Sequence, residues 1–223
     1  YIDNDEFDSK SQDKSILPIG YNSANASIYG IPLRYTYCYM IWGAKRTGKT
    51  NLMRVCIQSA LLKESRLIII DSPDKDYEIY KNEENVTYAS DEQGVYDAFV
   101  ALLPVFKERN KLKQSLLAQD MDEDEIFERM AKETPYFIFV ADLTWFVPFI
   151  YGAKLDMRGF LENITDKGQL HNIFFISEVS LDKKDLASGY PIFDHMAGYQ
   201  TGIHLGGKVS DNPSLSYEYL SLR

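Results

Sequence analysis

The clearest chemistry in this chain lies in eight consecutive residues, Gly43, Ala44, Lys45, Arg46, Thr47, Gly48, Lys49 and Thr50. Their spacing fits G-x-x-x-x-G-K-[ST], a loop that binds phosphate. Two glycines let the backbone turn tightly and approach an anion with no Cβ in the way. The turn then opens a helix, and the free N–H groups at that helix start, through Asn51, point at the phosphates. Lys49 can reach the β- and γ-phosphate oxygens, and the Thr50 hydroxyl can ligate Mg²⁺. The chemistry implied is binding of ATP with Mg²⁺.

Such a site also needs an acid at the end of a second strand to position the metal, usually through water. Two residues compete, Asp71 and Asp142. Asp71 ends the first strand after the loop's helix. Asp142 ends a later and more apolar strand, where the acid falls in ATPases with an extra strand beside the loop's own, and it is the preferred metal residue. A Glu often follows this acid and polarises the attacking water, but here Leu143 follows Asp142. A general base contributes roughly 10²- to 10⁴-fold in rate, so the sequence predicts binding with little hydrolysis unless another acid substitutes. Glu178, expected just past a strand ending at Ser177, is the nearest alternative catalytic group. Ser177 sits where a polar sensor of the γ-phosphate is expected.

The elements that must position these groups follow from apolar patterning. Residues 35–42 are aromatic and β-branched, a strand leading into the loop. Residues 51–63 carry apolar side chains at 52, 53, 55, 56, 57, 60, 61 and 62, which predicts a largely buried helix. Residues 66–71, 136–142 and 172–177 are too apolar to alternate, as parallel strands covered on both faces read. Residues 86–90 and 201–205 predict two more short strands, and 217–222 closes the chain. Asp91 should cap a long helix that Pro104 kinks or ends. Residues 144–150 form an apolar helix or turn, and 155–170 an amphipathic helix. Strands alternating with helices predict an α/β fold whose mostly parallel central sheet has helices on both faces.

Composition narrows the rest. The 223 residues are 45% hydrophobic, enough for a sizeable core. Residues 1–15 are acidic and polar and read as a loose tail or interdomain linker, with the domain spanning 16–223. The first residue is Tyr1, as in a piece of a longer protein, and nothing reads as a signal peptide. The most apolar run, 136–151, is short for a bilayer and holds Asp142 and Pro148, so this stretch inserts in no membrane. A net charge of −9 argues against nucleic acid, whose binding needs a basic face. Cys38 and Cys56 read as core hydrophobes in a reducing compartment. The acids at 120–128 mimic the start of a calcium loop, but Glu125 and Ala131 stand where its Gly and last Glu belong. They read as a solvated helix face. His171, His195 and His204 show no metal spacing.

Taken together these segments resemble an FtsK/SpoIIIE-type ATPase module. More narrowly, the chain is similar to one of the tandem ATPase domains in the membrane-anchored coupling ATPase of type VII secretion (EssC/EccC). The resemblance runs from about residue 16. Leu17 to Gly20 is similar to the family's opening segment, and Ile70 to Lys75 to its strand-end I-D-P-K with an insertion. Gly168 to Ile173 with Ser177 and Glu178 resembles its G-I-H-L-I-L-A-T-Q stretch, Glu178 replacing the Gln, and Thr201 to Gly207 its final strand. The resemblance implies a RecA-like P-loop NTPase core, ATP and Mg²⁺ as cofactors, neighbouring ATPase modules in the same chain or ring, and a cytoplasmic domain of a cell-membrane protein. It also implies export of small helical WXG100-type substrates, with the C-terminal module as the docking platform. Leu143 and Glu178 depart from the residues of active members, which favours weak or absent hydrolysis.

Two other readings stand beside this one. The stretch 145–151 is apolar enough that Trp145, Phe146 and Phe149, if exposed, would form a groove for an amphipathic helix, which makes a cargo-binding module that takes no nucleotide. A catalytically active DNA translocase is the other, and the acidic charge counts against it.

Overall fold

The computed structural model describes residues 13–208 together with 210, 212, 214 and 215. The predicted segment 217–222 and residues 1–12 lie outside the described residues. The chain opens with an antiparallel hairpin, β1 (Ile16–Tyr21) and β2 (Ile28–Pro32), which forms its own two-stranded sheet. Six further strands follow: β3 (Cys38–Gly43), β4 (Arg66–Ile70), β5 (Val86–Ala89), β6 (Tyr136–Val140), β7 (Ile173–Ser180) and β8 (Gly202–Leu205). They form one sheet in the order β5-β4-β6-β7-β3-β8, and every pairing is parallel.

Parallel pairing requires crossovers, and helices supply them on both faces. Helix α1 (Lys49–Leu61) covers one face, where Met53, Cys56, Ile57 and Ala60 pack with Ile41, Ile69, Phe139 and Ile176. Helices α2 (Glu92–Leu117), α4 (Leu143–Gly152), α5 (Arg158–Lys167) and α6 (Pro191–Gly198) cover the other, around Trp42, Val140, Phe175 and Val179. Alternate residues of each strand feed the two cores, so the buried strands are apolar throughout rather than alternating. Helix α3 (Glu123–Met130) carries the acidic run and starts on a capping box, Asp122 with Glu125. The solvated-helix reading of 120–128 therefore holds, and the described residues contain no cluster of three or more metal-ligating side chains. Cys38 and Cys56 are free and buried in the core.

Several boundaries differ from the sequence reading for identifiable reasons. Asp91 does cap α2, accepting from the Gly94 N–H, but Pro104 does not end it. The carbonyl that Pro104 leaves unpaired belongs to Val100, which is exposed, so water can satisfy it. Helix α1 starts at Lys49, two residues earlier than its apolar pattern suggests, because the phosphate-loop residues form its first turn. Strand β7 runs on to Ser180, so Glu178 lies within the strand and not past its end.

At the end of the sheet away from the phosphate loop, Arg109 ties the layers together. Its buried guanidinium donates to the carbonyls of His171 (2.9 Å), Asn172 (3.0 Å) and Thr134. His171 stacks on Phe106 at 4.9 Å, and burial pushes its imidazole down to about 4, so it is a neutral core residue.

Candidate functional site

Strand β3 delivers the phosphate loop to the C-terminal end of the sheet, and Gly48 turns it into α1 with φ 99°. That left-handed backbone suits glycine. Gly43 is needed for a different reason. A Cβ there would lie 2.3 Å from Thr47 Oγ1 and 2.8 Å from the Leu205 carbonyl of β8. Arg46 also takes a positive φ of 66° and its side chain is exposed, as are Lys45 and Ala44. Thr47 Oγ1 donates to the Ala44 carbonyl at 2.9 Å. Lys49 is buried and folds back under the loop, donating to the carbonyls of Gly43 (3.1 Å) and Ala44 (2.9 Å). No side chain caps α1, so its first-turn N–H groups are left for a ligand.

Strand order separates the two candidate acids. Only β7 lies between β3 and the strand of Asp142, while Asp71 ends β4, one strand further out. Asp142 is half-buried and caps α4, accepting from the Thr144 N–H (2.9 Å) and hydroxyl (2.6 Å). Asp71 is fully buried and accepts from the N–H groups of Ser72 (2.9 Å) and Tyr77 (2.8 Å) and from the Tyr88 hydroxyl (3.0 Å). Its carboxylate is spent on the loop that follows it. Leu143 is wholly buried in the core, so no group there faces the phosphates.

Glu178 and Ser177 are neighbours in β7 and point to opposite faces. The pleat that puts Phe174 and Ile176 in the α1-side core sends Glu178 the same way, beside Lys49. Ser177 is wholly buried on the parity of Phe175 and Val179, and its Oγ has no partner among the described residues. The two candidate residues therefore face opposite sides of the sheet. Burial pushes the Glu178 carboxyl up to about 7. A hydrogen bond from Tyr77 and the charge of Lys49 oppose that rise, while Asp76 and Asp142 add to it.

The sequence reading missed Tyr77. It lies in the insertion after Asp71, its side chain is 1% exposed, and its hydroxyl donates to Glu178. Nothing in the pattern of residues 72–77 marks it, because its role depends on where the loop folds.

The apolar helix after Asp142 is only partly available. Trp145 and Phe149 stack at 4.9 Å and line an open groove of about 670 Å³ with Pro148, Leu186, Tyr190 and Lys183. Phe146 does not join them. It is 1% exposed and packs in the core with Leu143 and Val147, one helical face away. The groove also touches Asp142 and Thr144, so it begins where the candidate metal acid is capped.

The residues fit a nucleotide with Mg²⁺. The loop N–H groups, the α1 N-terminus and Lys49 would hold the phosphates, and Thr50 and Asp142 would hold the metal. When bound, the metal would neutralise phosphate charge.

The chain has a RecA-like α/β fold of the kind P-loop ATPases share, with a phosphate-loop sequence at the end of β3. The chain resembles the ATPase modules of the type VII coupling ATPases. Against the cytoplasmic domain of EssC the TM-score is 0.74 at 16% identity, covering 94% of this chain and 39% of that one. Against Thermomonospora curvata EccC (ATPases 2 and 3), solved in complex with a signal sequence peptide, it is 0.69 at 16% identity, covering 94% and 37%. The pCW3 conjugation coupling protein TcpA, in its monomer form with ATPγS, gives 0.58 at 12% identity over 82% and 53%. The chain thus spans well under half the length of the EssC and EccC structures. No protein-family model matches the sequence, and no curated protein sequence does. No helix among the described residues is long and apolar enough to cross a membrane.

Proposed function

We propose that the chain is a nucleotide-binding module of a type VII protein-export motor, with weak or absent hydrolysis, acting mainly in substrate recognition. The observation that carries this reading is the loop with Lys49 buried beneath it, joined to a sheet in which Leu143, behind Asp142, is turned into the core. Lys49, Thr50 and the backbone of 43–51 bind ATP, and Asp142 positions Mg²⁺. Glu178 is the acid left near the phosphates, and with its carboxyl near 7 it is a poor permanent base at neutral pH. The module sits among further ATPase modules of a longer, membrane-anchored chain; the similar EccC structure holds ATPases 2 and 3. A module that hydrolyses little serves assembly or conformational control more than turnover.

Calorimetry with ATP and Mg²⁺ tests this reading. Micromolar to submillimolar binding is expected, lost at least tenfold in Lys49→Ala, with turnover far below that of an active motor. Absence of binding at millimolar ATP, or indifference to Lys49→Ala, would sink it.

The groove of Trp145 and Phe149 favours an added role, capture of the helical C-terminal signal of a WXG100-type cargo. A similar EccC structure carries a signal sequence peptide, and the groove offers an apolar wall with Lys183 at its margin. Titration with such a peptide should show binding that Trp145→Ala weakens and Phe146→Ala leaves in place, provided the latter still folds.

A further inference from the structure

Both hydrogen bonds to the Asp142 carboxylate fall on one of its two oxygens. The Thr144 N–H donates to Oδ1 at 2.9 Å, and the Thr144 hydroxyl donates to the same atom at 2.6 Å. Among the described residues no donor meets Oδ2. Asp71 differs, with Ser72 on Oδ1 and both Tyr77 and Tyr88 on Oδ2. The main chain around Asp142 is held on each side. The Ala141 N–H donates to the Ile70 carbonyl at 3.0 Å, and the Asp142 carbonyl accepts from the N–H groups of Phe146 (2.8 Å) and Trp145 (3.2 Å). Leu143, Phe146 and Val147 anchor the first turn of α4 in the core. What freedom remains is rotation of the carboxyl about its own side-chain bonds. Thr144 removes it. That residue is 1% exposed, and a buried hydroxyl is costly to leave unpaired, which keeps it on Oδ1.

We propose that Thr144 is a positioning residue for the metal side of the nucleotide site, holding Oδ1 of Asp142 so that Oδ2 is kept for Mg²⁺. The inference rests on the nucleotide-binding reading and deepens it. Mg²⁺ demands near-ideal octahedral geometry and gives up its waters reluctantly. A carboxylate that offers one oxygen in one fixed direction suits such an ion better than one that turns. Nucleotide without metal needs the loop N–H groups and Lys49 only, so its affinity is independent of Thr144. The effect of Thr144 is therefore confined to the metal complex and passes through Asp142.

Calorimetry of the full chain with ATP, once in EDTA and once in Mg²⁺, tests this in wild type, Thr144→Val, Thr144→Ser and Lys49→Ala. Thr144→Val keeps the shape and the main-chain donor and removes the hydroxyl. It is expected to weaken Mg²⁺-ATP at least fivefold while changing ATP in EDTA less than twofold, which also shows that the variant folds. Thr144→Ala carries the same expectation should Thr144→Val not fold. Thr144→Ser, which keeps the hydroxyl, should bind Mg²⁺-ATP within twofold of wild type. A second measurement places Thr144→Val in an Asp142→Ala background, where it should weaken Mg²⁺-ATP no further. Three results overturn the positioning role and leave the nucleotide reading standing: an unchanged Mg²⁺-ATP affinity in Thr144→Val, an equal loss in EDTA, or a loss that persists without Asp142. Failure of Thr144→Ser to restore the affinity overturns it too. Binding that is absent in wild type, or insensitive to Lys49→Ala, overturns the nucleotide reading itself and this role with it.

Discussion

Asp71 and Asp142 end parallel neighbours, β4 and β6, and in the sequence they look alike: an apolar run, then an acid. In three dimensions they differ in what surrounds the carboxylate. Asp71 is enclosed and its oxygens take three donors, two from the loop that follows it and one from Tyr88 within β5. Asp142 is half-open and takes both its donors from Thr144, the second residue of the helix it caps. The first acid organises a loop and the second is left facing the sheet's C-terminal end. Of the two strand-end acids, only Asp142 keeps a partly open carboxylate.

Substitution can break this contrast, and of the two acids the larger effect is expected at Asp71. Asp71→Ala strands buried N–H donors of Ser72 and Tyr77 and should cost about 4 kcal/mol in urea unfolding. Asp142→Ala removes a helix cap and should cost about 1 kcal/mol. Equal costs would erase the distinction. Next comes Glu178, in β7 beside the strand of Asp142. Its carboxyl is raised in the fold, so the folded chain holds a proton that the unfolded chain has released. Stability from this group is then full below the ordinary Glu range and falls as pH rises from about 4.5 to about 7. The ceiling of the loss is about 3 kcal/mol, and Glu178→Gln should abolish it, read as melting temperature against pH. His171 works in the opposite sense. Its imidazole is lowered to about 4, so stability is lost as pH falls below about 6.5, and His171→Phe should flatten that acid limb. The smallest effect is at the groove. Trp145 is only partly buried, and Trp145→Ala should move the urea midpoint least, while Phe146→Ala, emptying a core position, should cost about 3 to 5 kcal/mol.

The same contrast explains how much was readable in advance. The phosphate loop, the strands on either side of it and the cap at Asp91 were legible because each depends on residues close in sequence. Asp142 was preferred over Asp71 for its place at the end of a later strand and for that strand's apolarity, and one strand, β7, does lie between β3 and β6. The end of β7 was misplaced because a carboxylate at 178 looks like a strand terminus, whereas Tyr77 from a distant loop satisfies it inside the sheet. Phe146 could not be told from Trp145 because nearly every residue of α4 is apolar, which leaves no polar face to set the phase. Arg109 was invisible for a related reason. Its three acceptors are main-chain carbonyls, which carry no residue signature.

Strand order also has a consequence for synthesis on the ribosome. The strand that leads into the phosphate loop, Cys38–Gly43, pairs with nothing nearby in sequence. Its sheet neighbours are β7, where Cys38 meets Phe175, and β8, where Gly43 meets Leu205. Until those late segments emerge, this apolar strand has two bare edges, and loop-closure entropy makes such distant pairing slow. Fragments truncated before residue 173 should therefore aggregate through β3, and a chaperone that shields emerging strands should raise the yield of the whole chain more than of a typical local fold.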